Sequence, residues 1–318
     1  MDVEEPVDFA VNSDKITYKA GDTAIFGFAG KADLITFFSG EIGRRYENRN
    51  RRIAAGIPRL SFQTNMTQGV LTNPDSIRLY ITAYLRGYDS TNVVNASWVD
   101  ITNRNTKWPV ALTTTFTNSD TINLSDFNNA DSINIAFRVM NKQYLTAAQR
   151  RWQLQNLVLT NTLPDGRVTN LFSTFSNAGW VQANIKNNPA PKTTVTNFHA
   201  WNVGQAGISA SNATFIISGR PCNSNGIPIQ TAYPITFDPS TSTNQEENDD
   251  WLITSAVNLK TTNPDVGAGI KRATDATLKT YRYRFATPGT YVVTFLAQNQ
   301  GLNVVKEVVR QITITVTP

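Results

Sequence analysis

Apolar and polar residues alternate with a period of two along most of this chain, the spacing of strands with one buried face. The segment from Ser132 to Val139 shows it cleanly, with Ile133, Ile135, Phe137 and Val139 on one side. The same period runs through residues 7–11 and 23–28, and further short strands read at 34–38, 77–84, 152–159, 179–185, 213–217, 251–254, 281–285, 291–296 and 312–316, with shorter pieces at 16–18 and 98–101. Turn-forming groups separate them: Ala20-Gly21-Asp22, Gly30-Lys31-Ala32-Asp33, Arg86-Gly87-Tyr88-Asp89 and Thr287-Pro288-Gly289-Thr290. Gly56-Ile57-Pro58 marks a boundary, and residues 161 to about 250 are looser, with Asn, Pro and Ser clusters between short strands. Only residues 146–150 resemble a helix, and they are too few to form a layer. Many short strands without α/β alternation predict an all-β protein of sandwiches or jelly rolls.

Composition narrows the functional classes. The chain has 318 residues, enough for two or three domains. Charged residues make up 17%, so polarity comes mainly from amides and hydroxyls, a pattern common in secreted β-proteins. The net charge of +5 is diluted except at Arg44, Arg45, Arg49, Arg51 and Arg52. That run is either a contact for an anionic polymer or membrane surface, or a solvated loop with Glu41 and Glu47 as partners. No recognisable nucleic-acid module accompanies it, so no nucleic-acid partner is expected. One cysteine, Cys222, excludes an internal disulfide. One histidine, His199, leaves no His-rich zinc site and makes any Ser-His-Asp triad depend on that position. No apolar stretch approaches the ~18 residues of a spanning helix. The opening Met1-Asp2-Val3-Glu4-Glu5-Pro6 looks like the trimmed end of a mature exported chain carrying an added Met.

Two stretches far apart carry one resemblance. YKAGDTAIFGFAGKADLITFFSGEIG, from Tyr18, resembles the opening half of a PKD domain, an immunoglobulin-like sandwich. YRYRFATPGTYVVTFLAQN, from Tyr281, with ITITV, from Ile312, resembles its closing half. The acidic stretch usual in PKD domains departs here to Phe37-Phe38-Ser39-Gly40-Glu41. The two halves are either one sandwich split by an insertion or two separate sandwiches. About fifty residues at the start are few for a complete one, so the split is expected, with residues 1–57 and 276–318 forming it and 58–275 inserted. The inserted part, through WVDIT, INLSDFNNADSINIAFRV, RWQLQNLVL and DDWLITSAVNL, resembles galactose-binding-like jelly rolls, the last motif being similar to cleaved-adhesin-type modules. Together these motifs resemble an uncharacterised family of Bacteroidetes surface lipoproteins that accompany SusC/SusD-like glycan importers. That resemblance implies export to the outer membrane, facing the cell surface or the periplasm. It also implies a lipid anchor on an upstream Cys as the only tie to the membrane, and capture of polysaccharide or oligosaccharide beside the importer.

Glycan-binding modules stack flat aromatic faces on sugars and flank them with amides, carboxylates or Arg. Trp98, Trp152 and Trp251 read as core or motif residues. Tyr88, Trp108, Trp180 and Trp201 sit in loops or at strand entries and are the candidate platforms, with Arg86 beside Tyr88. The jelly-roll resemblance further implies a structural calcium, with Asp126, Asp131, Asp249 and Asp250 as possible ligands to that hard cation. No catalytic constellation is found. GISAS at 207–211 has Ser211 where a nucleophile elbow needs its second Gly, and there is no Walker loop, Rossmann fingerprint or CxxC pair. The expected function is non-catalytic glycan capture. The alternatives are a structural or protein-interaction module of adhesin type and, third, a cryptic glycoside hydrolase, which needs two opposed carboxylates.

Overall fold

The computed structural model describes residues 4–6, 8–71, 76–172, 178–186, 200–202, 215–217, 220–222, 234–239 and 247–318. The described residues are nearly all β, with one short α-helix, Ser90–Asn95, whose N-cap Asp89 accepts from the Asn92 amide. The chain divides into two compact units, Met1–Ile53 with Thr262–Pro318, and Ala54–Thr261.

The first unit is built by pairing the two ends of the chain. In a three-stranded sheet, Thr23–Ala29 lies between Ala10–Ser13 and Thr280–Arg284. In a five-stranded sheet the order is Ala268–Lys271, Leu34–Phe38, Gly289–Gln300, Val305–Thr317 and Thr17–Lys19, the last pair parallel. Alternate residues face inward, and Phe26, Phe37, Phe285, Phe295 and Ile314 make the core. Phe295 is its hub, with ring centroids 5.2 Å from each of Phe26, Phe28 and Phe37. The C-terminal segment of this unit starts earlier than residue 276, because Ala268–Lys271 pairs with Leu34–Phe38. Ala-Gly-Ile-Lys has a single large apolar residue and gives little periodic signal. Arg52 and Thr262, where the chain leaves and re-enters the unit, are bonded to each other (N–H to O, 2.9 Å). Adjacent entry and exit points let an insertion close with little extra loop entropy.

The second unit has a five-stranded sheet ordered Val181–Lys186, Asn248–Ile253, Asn134–Asn141, Ser76–Thr82 and Val99–Asp100. A larger sheet is ordered Ala200–Asn202, Ile235–Asp238, Arg151–Thr162, Ile57–Gln68 and Thr117–Asn118, with Val168–Asn170 and Ile122–Asn123 at its margins. The inner residues of both sheets, among them Leu79, Ile81, Ile135, Phe137, Leu252, Leu60, Phe62, Trp152 and Leu159, form one core. The strand Ile57–Gln68 is absent from the periodic pattern, because Pro58 opens it and the buried Thr64 fills an inward position usually apolar. Asn156, at φ 51°, sits in a register shift between Gln155 and Val158. This bulge brings Leu157 rather than Val158 into the core. Residues 146–150 form no helix.

The Phe295 hub yields a stability prediction. Phe295→Ala should cost about 3–5 kcal/mol, because a ring contacting three others leaves a cavity. Leu302→Ala, at a fully exposed residue, should change stability by less than about 0.5 kcal/mol. Urea unfolding of the two variants against the parent checks both.

Candidate functional site

The structure separates the four nominated rings. Trp180 and Trp201 are 3% and 0% exposed and belong to the core of the second unit, so neither is a platform. Trp201 lies in the strand Ala200–Asn202, its ring centroid 5.7 Å from that of Phe237 and its Nε1–H donating to the backbone oxygen of Asp250 at 3.2 Å. Trp180 packs 6.2 Å from Phe137. Both look loop-like in sequence, but Trp201 is turned inward by pairing with Phe237, and Trp180, just before the strand Val181–Lys186, packs into the same core. Trp108 is half-buried against Phe62 at 5.5 Å, and its Nε1–H donates to the Thr102 oxygen. Its loop is tied down by Asp120, which accepts from both the amide and the hydroxyl of Thr106 at 2.7 Å. Those bonds, with the nearby Lys107, hold the Asp120 carboxyl down at about 2. Tyr88 is half-buried, its hydroxyl donating to Thr254 and accepting from Asn134. Arg86 is exposed and lies 6.0 Å from the ring of Tyr84. Tyr84 itself is 70% exposed. The sequence pattern carries the strand through Tyr84, but the strand ends at Thr82.

The four nominated acids do not converge. Asp126 is gripped at both oxygens by Arg104 (2.9 and 2.6 Å), which holds its carboxyl below the usual range. Asp249 is gripped likewise by Arg138 (2.7 and 2.6 Å) on the outer face of the five-stranded sheet. Asp131 is exposed. Asp250 points the opposite way from Asp249, into the core, where burial pushes its carboxyl well up. Among the described residues no group of three or more His, Cys, Asp or Glu is placed to hold a metal. The four possible calcium ligands thus do not gather around one point, because strand alternation and competing arginines pull them apart. His199 and the segment 207–211 lie outside the described residues. The backbone of Cys222 pairs with Phe215 in a small ribbon.

A concavity lies in the first unit. A groove of about 820 Å³ is lined by residues 40–47 on one side and the turn at Thr287–Val292 on the other. Gly40, at φ 81°, permits the close approach of the two walls, because a Cβ there would sit 2.8 Å from the Val292 oxygen. The arginine run is held by backbone contacts. Asp265 accepts from the Arg45 amide at 2.9 Å, Arg44 donates to the Val266 oxygen, and Arg49 stacks on Tyr46 at 3.8 Å. Asp265 therefore takes the anchoring role expected of Glu41. Glu41 instead accepts from Ser39 (2.7 Å) and from the Tyr283 hydroxyl. Burial, reinforced by that hydrogen bond, pushes the Tyr283 phenol up. Tyr291 stacks on Phe285 at 5.0 Å and hydrogen-bonds the Thr287 oxygen, so its ring is fixed at the groove wall. The groove thus presents a rigid ring, a prolyl face, two arginines and two carboxylates. In sequence the arginine run and the Pro-Gly turn read as two separate features. Nothing local joins segments about 245 residues apart.

A family model described as Domain of unknown function (DUF5017) matches residues 1–180. The chain belongs to the DUF5017 family. The DUF5017 match takes in one wall of the groove, residues 40–47, and the second unit up to Trp180. No curated protein and no solved structure matches the chain.

The Asp120 anchor has a pH signature. Its folded carboxyl titrates below the unfolded value of 3.8, so its contribution is present above about pH 4 and lost as pH falls through about 2. Asp120→Asn should remove that acid-limb dependence from the Trp108 loop, read as the pH profile of tryptophan fluorescence against a Trp108→Phe control. An unchanged profile contradicts the assignment.

Proposed function

We propose that this DUF5017 member is a non-catalytic glycan-capture protein displayed at the bacterial cell surface. The observation that carries the reading is the groove at the end of the first sandwich. It combines the fixed ring of Tyr291, the Pro288 face, Arg44 and Arg45 as donors, and Glu41 and Glu47 as acceptors. Sugars present C–H faces to rings and hydroxyls to charged hydrogen-bonding groups, so this mixture matches their chemistry. Its volume falls within the range of about 300–1,000 Å³ typical of ligand sites. The exposed pair Tyr84 and Arg86 on the second unit offers a smaller contact of the same kind.

The finer placement is also a proposal. The motifs that resemble Bacteroidetes lipoproteins of SusC/SusD-type systems coincide with paired strands: Leu34–Phe38, Arg151–Thr162, Asn248–Ile253 and Gly289–Gln300. A lipid-anchored position on the outer membrane, beside an importer that takes up the captured glycan, follows from that resemblance.

Affinity electrophoresis against a panel of polysaccharides tests the reading. At least one glycan should retard the parent chain, and Tyr291→Ala with Arg44→Ala should weaken retention about tenfold or more, the loss of one or two well-placed contacts. Tyr84→Ala should weaken it less. Silence across a broad panel favours a structural or protein-docking module, and release of reducing sugar defeats the non-catalytic claim.

A further inference from the structure

The two walls of the groove in the first unit differ in charge. Residues 40–52, one wall and the residues that follow it, carry five arginines against two glutamates, Glu41 and Glu47. The opposite wall, residues 287–292, carries no charged side chain. Asp265, beside the arginine run, reduces the excess without cancelling it. It is already engaged by the Arg45 amide at 2.9 Å and by Arg51 at 3.8 Å. Glu41 is engaged too, because Ser39 and Tyr283 both donate to its Oε2. The balance in the groove is therefore cationic, and it favours anions.

Arg44 is placed to meet an anion at contact distance. Its backbone is held on both sides. The Gly40 amide donates to the Arg44 oxygen at 3.0 Å, and the Arg44 amide donates to the Glu41 oxygen at 2.9 Å. Its Nη1–H donates to the Val266 oxygen at 3.3 Å, which holds the guanidinium by one corner. Nε and Nη2 have no hydrogen-bond partner within the described residues, and no carboxylate there pairs with Arg44. Those two nitrogens form the side-on edge of the guanidinium, whose parallel N–H groups match the two oxygens of a carboxylate. The residue is exposed, so solutes reach that edge. Arg45, in contrast, turns its Nε to the Gly40 oxygen at 3.4 Å.

We infer that the groove selects acidic glycans, with Arg44 holding a uronate carboxylate through its Nε–Nη2 edge while Tyr291 and Pro288 meet a C–H face of the sugar. This rests on the glycan-capture reading and names the class of glycan. A neutral sugar offers the edge one hydroxyl oxygen at a time, whereas a carboxylate fills both positions and brings the opposite charge. An anionic lipid surface carries charge of the same sign. The edge lies in a recess walled by the turn at 287–292, which suits a polymer strand better than a flat layer of headgroups.

The test is affinity electrophoresis of the full chain in polygalacturonate, alginate and hyaluronan, each beside its carboxyl-reduced form, with dextran sulfate as a charge control. At least one polyuronate should bind the parent about tenfold or more tightly than its reduced form does. That preference should shrink as NaCl rises. Arg44→Gln should erase the preference while leaving retention on the reduced polymer as it is, which also reports an intact fold. Arg44→Lys, which keeps the charge without the paired N–H edge, should restore only part of it. Lys306→Gln, at an exposed cation at the other end of the hairpin, should change nothing. A parent retarded by neutral polysaccharides but by no polyuronate overturns the acidic assignment and leaves glycan capture standing; silence toward every polymer overturns both. Equal retention by a polyuronate and its reduced form, or a preference that survives Arg44→Gln, also overturns the assignment. So does dextran sulfate binding as tightly as the best polyuronate, since bulk charge then suffices. Cosedimentation with phosphatidylglycerol vesicles that is lost in Arg44→Gln assigns the arginine to a membrane surface and overturns it as well.

Discussion

An alternating strand has one apolar face that must be covered. Among the described residues the inner faces of each unit's sheets cover one another, while the outer face at Trp251 is covered by Val93 of the short helix and by Trp98. That constraint shapes both units. In the first, it binds residues near the two ends of the chain into one core: Phe26 and Phe37 from one segment enclose Phe295 from the other. Neither segment has a partner for its apolar face without the other, so this unit's stability rests on a contact spanning some 260 residues. In the second, it buries two of the chain's tryptophans, Trp180 and Trp201, that local sequence left beside loops. What the sheets do not use is left at their ends, where turns and loops are free to carry binding chemistry.

Much of the fold was legible because period two is a strong signal over five or more residues. The strand Asn134–Asn141 falls on plain alternation, and Leu34–Phe38, Arg151–Thr162 and Gly289–Gln300 on apolar stretches bounded by turn residues, whereas Asn248–Ile253 is legible only from Trp251, because Asn248, Asp249 and Asp250 are polar. Losses came where the signal is broken by chemistry. Pro58 and the inward Thr64 hide Ile57–Gln68, the bulge at Asn156 shifts the inward set by one, and Ala268–Lys271 has too few apolar residues to register. The helix Ser90–Asn95 is only six residues long and leans on its Asp89 cap and the buried Val93.

The candidate site was much less legible. An isolated Trp looks the same in sequence whether it lines a groove or seals a core, and only pairing decides. The groove unites an arginine-rich loop with a Pro-Gly turn, and each reads alone as a solvated connection. Tyr84 was concealed by a strand that stops two residues early. The acids are separated for a related reason: Asp249 and Asp250 are neighbours in sequence, yet alternation sends one to Arg138 outside and the other into the core.

The picture that results is two sheet-built units, with the proposed recognition surface at the loop end of the split sandwich. Hydrogen–deuterium exchange of the full chain, with and without a polysaccharide that retards it in gels, tests this most directly. The account predicts slowed exchange in residues 40–47 and 287–292, with the sheet interiors unchanged. Protection confined to the second unit, or absent from both groove walls while the glycan is bound, would contradict it.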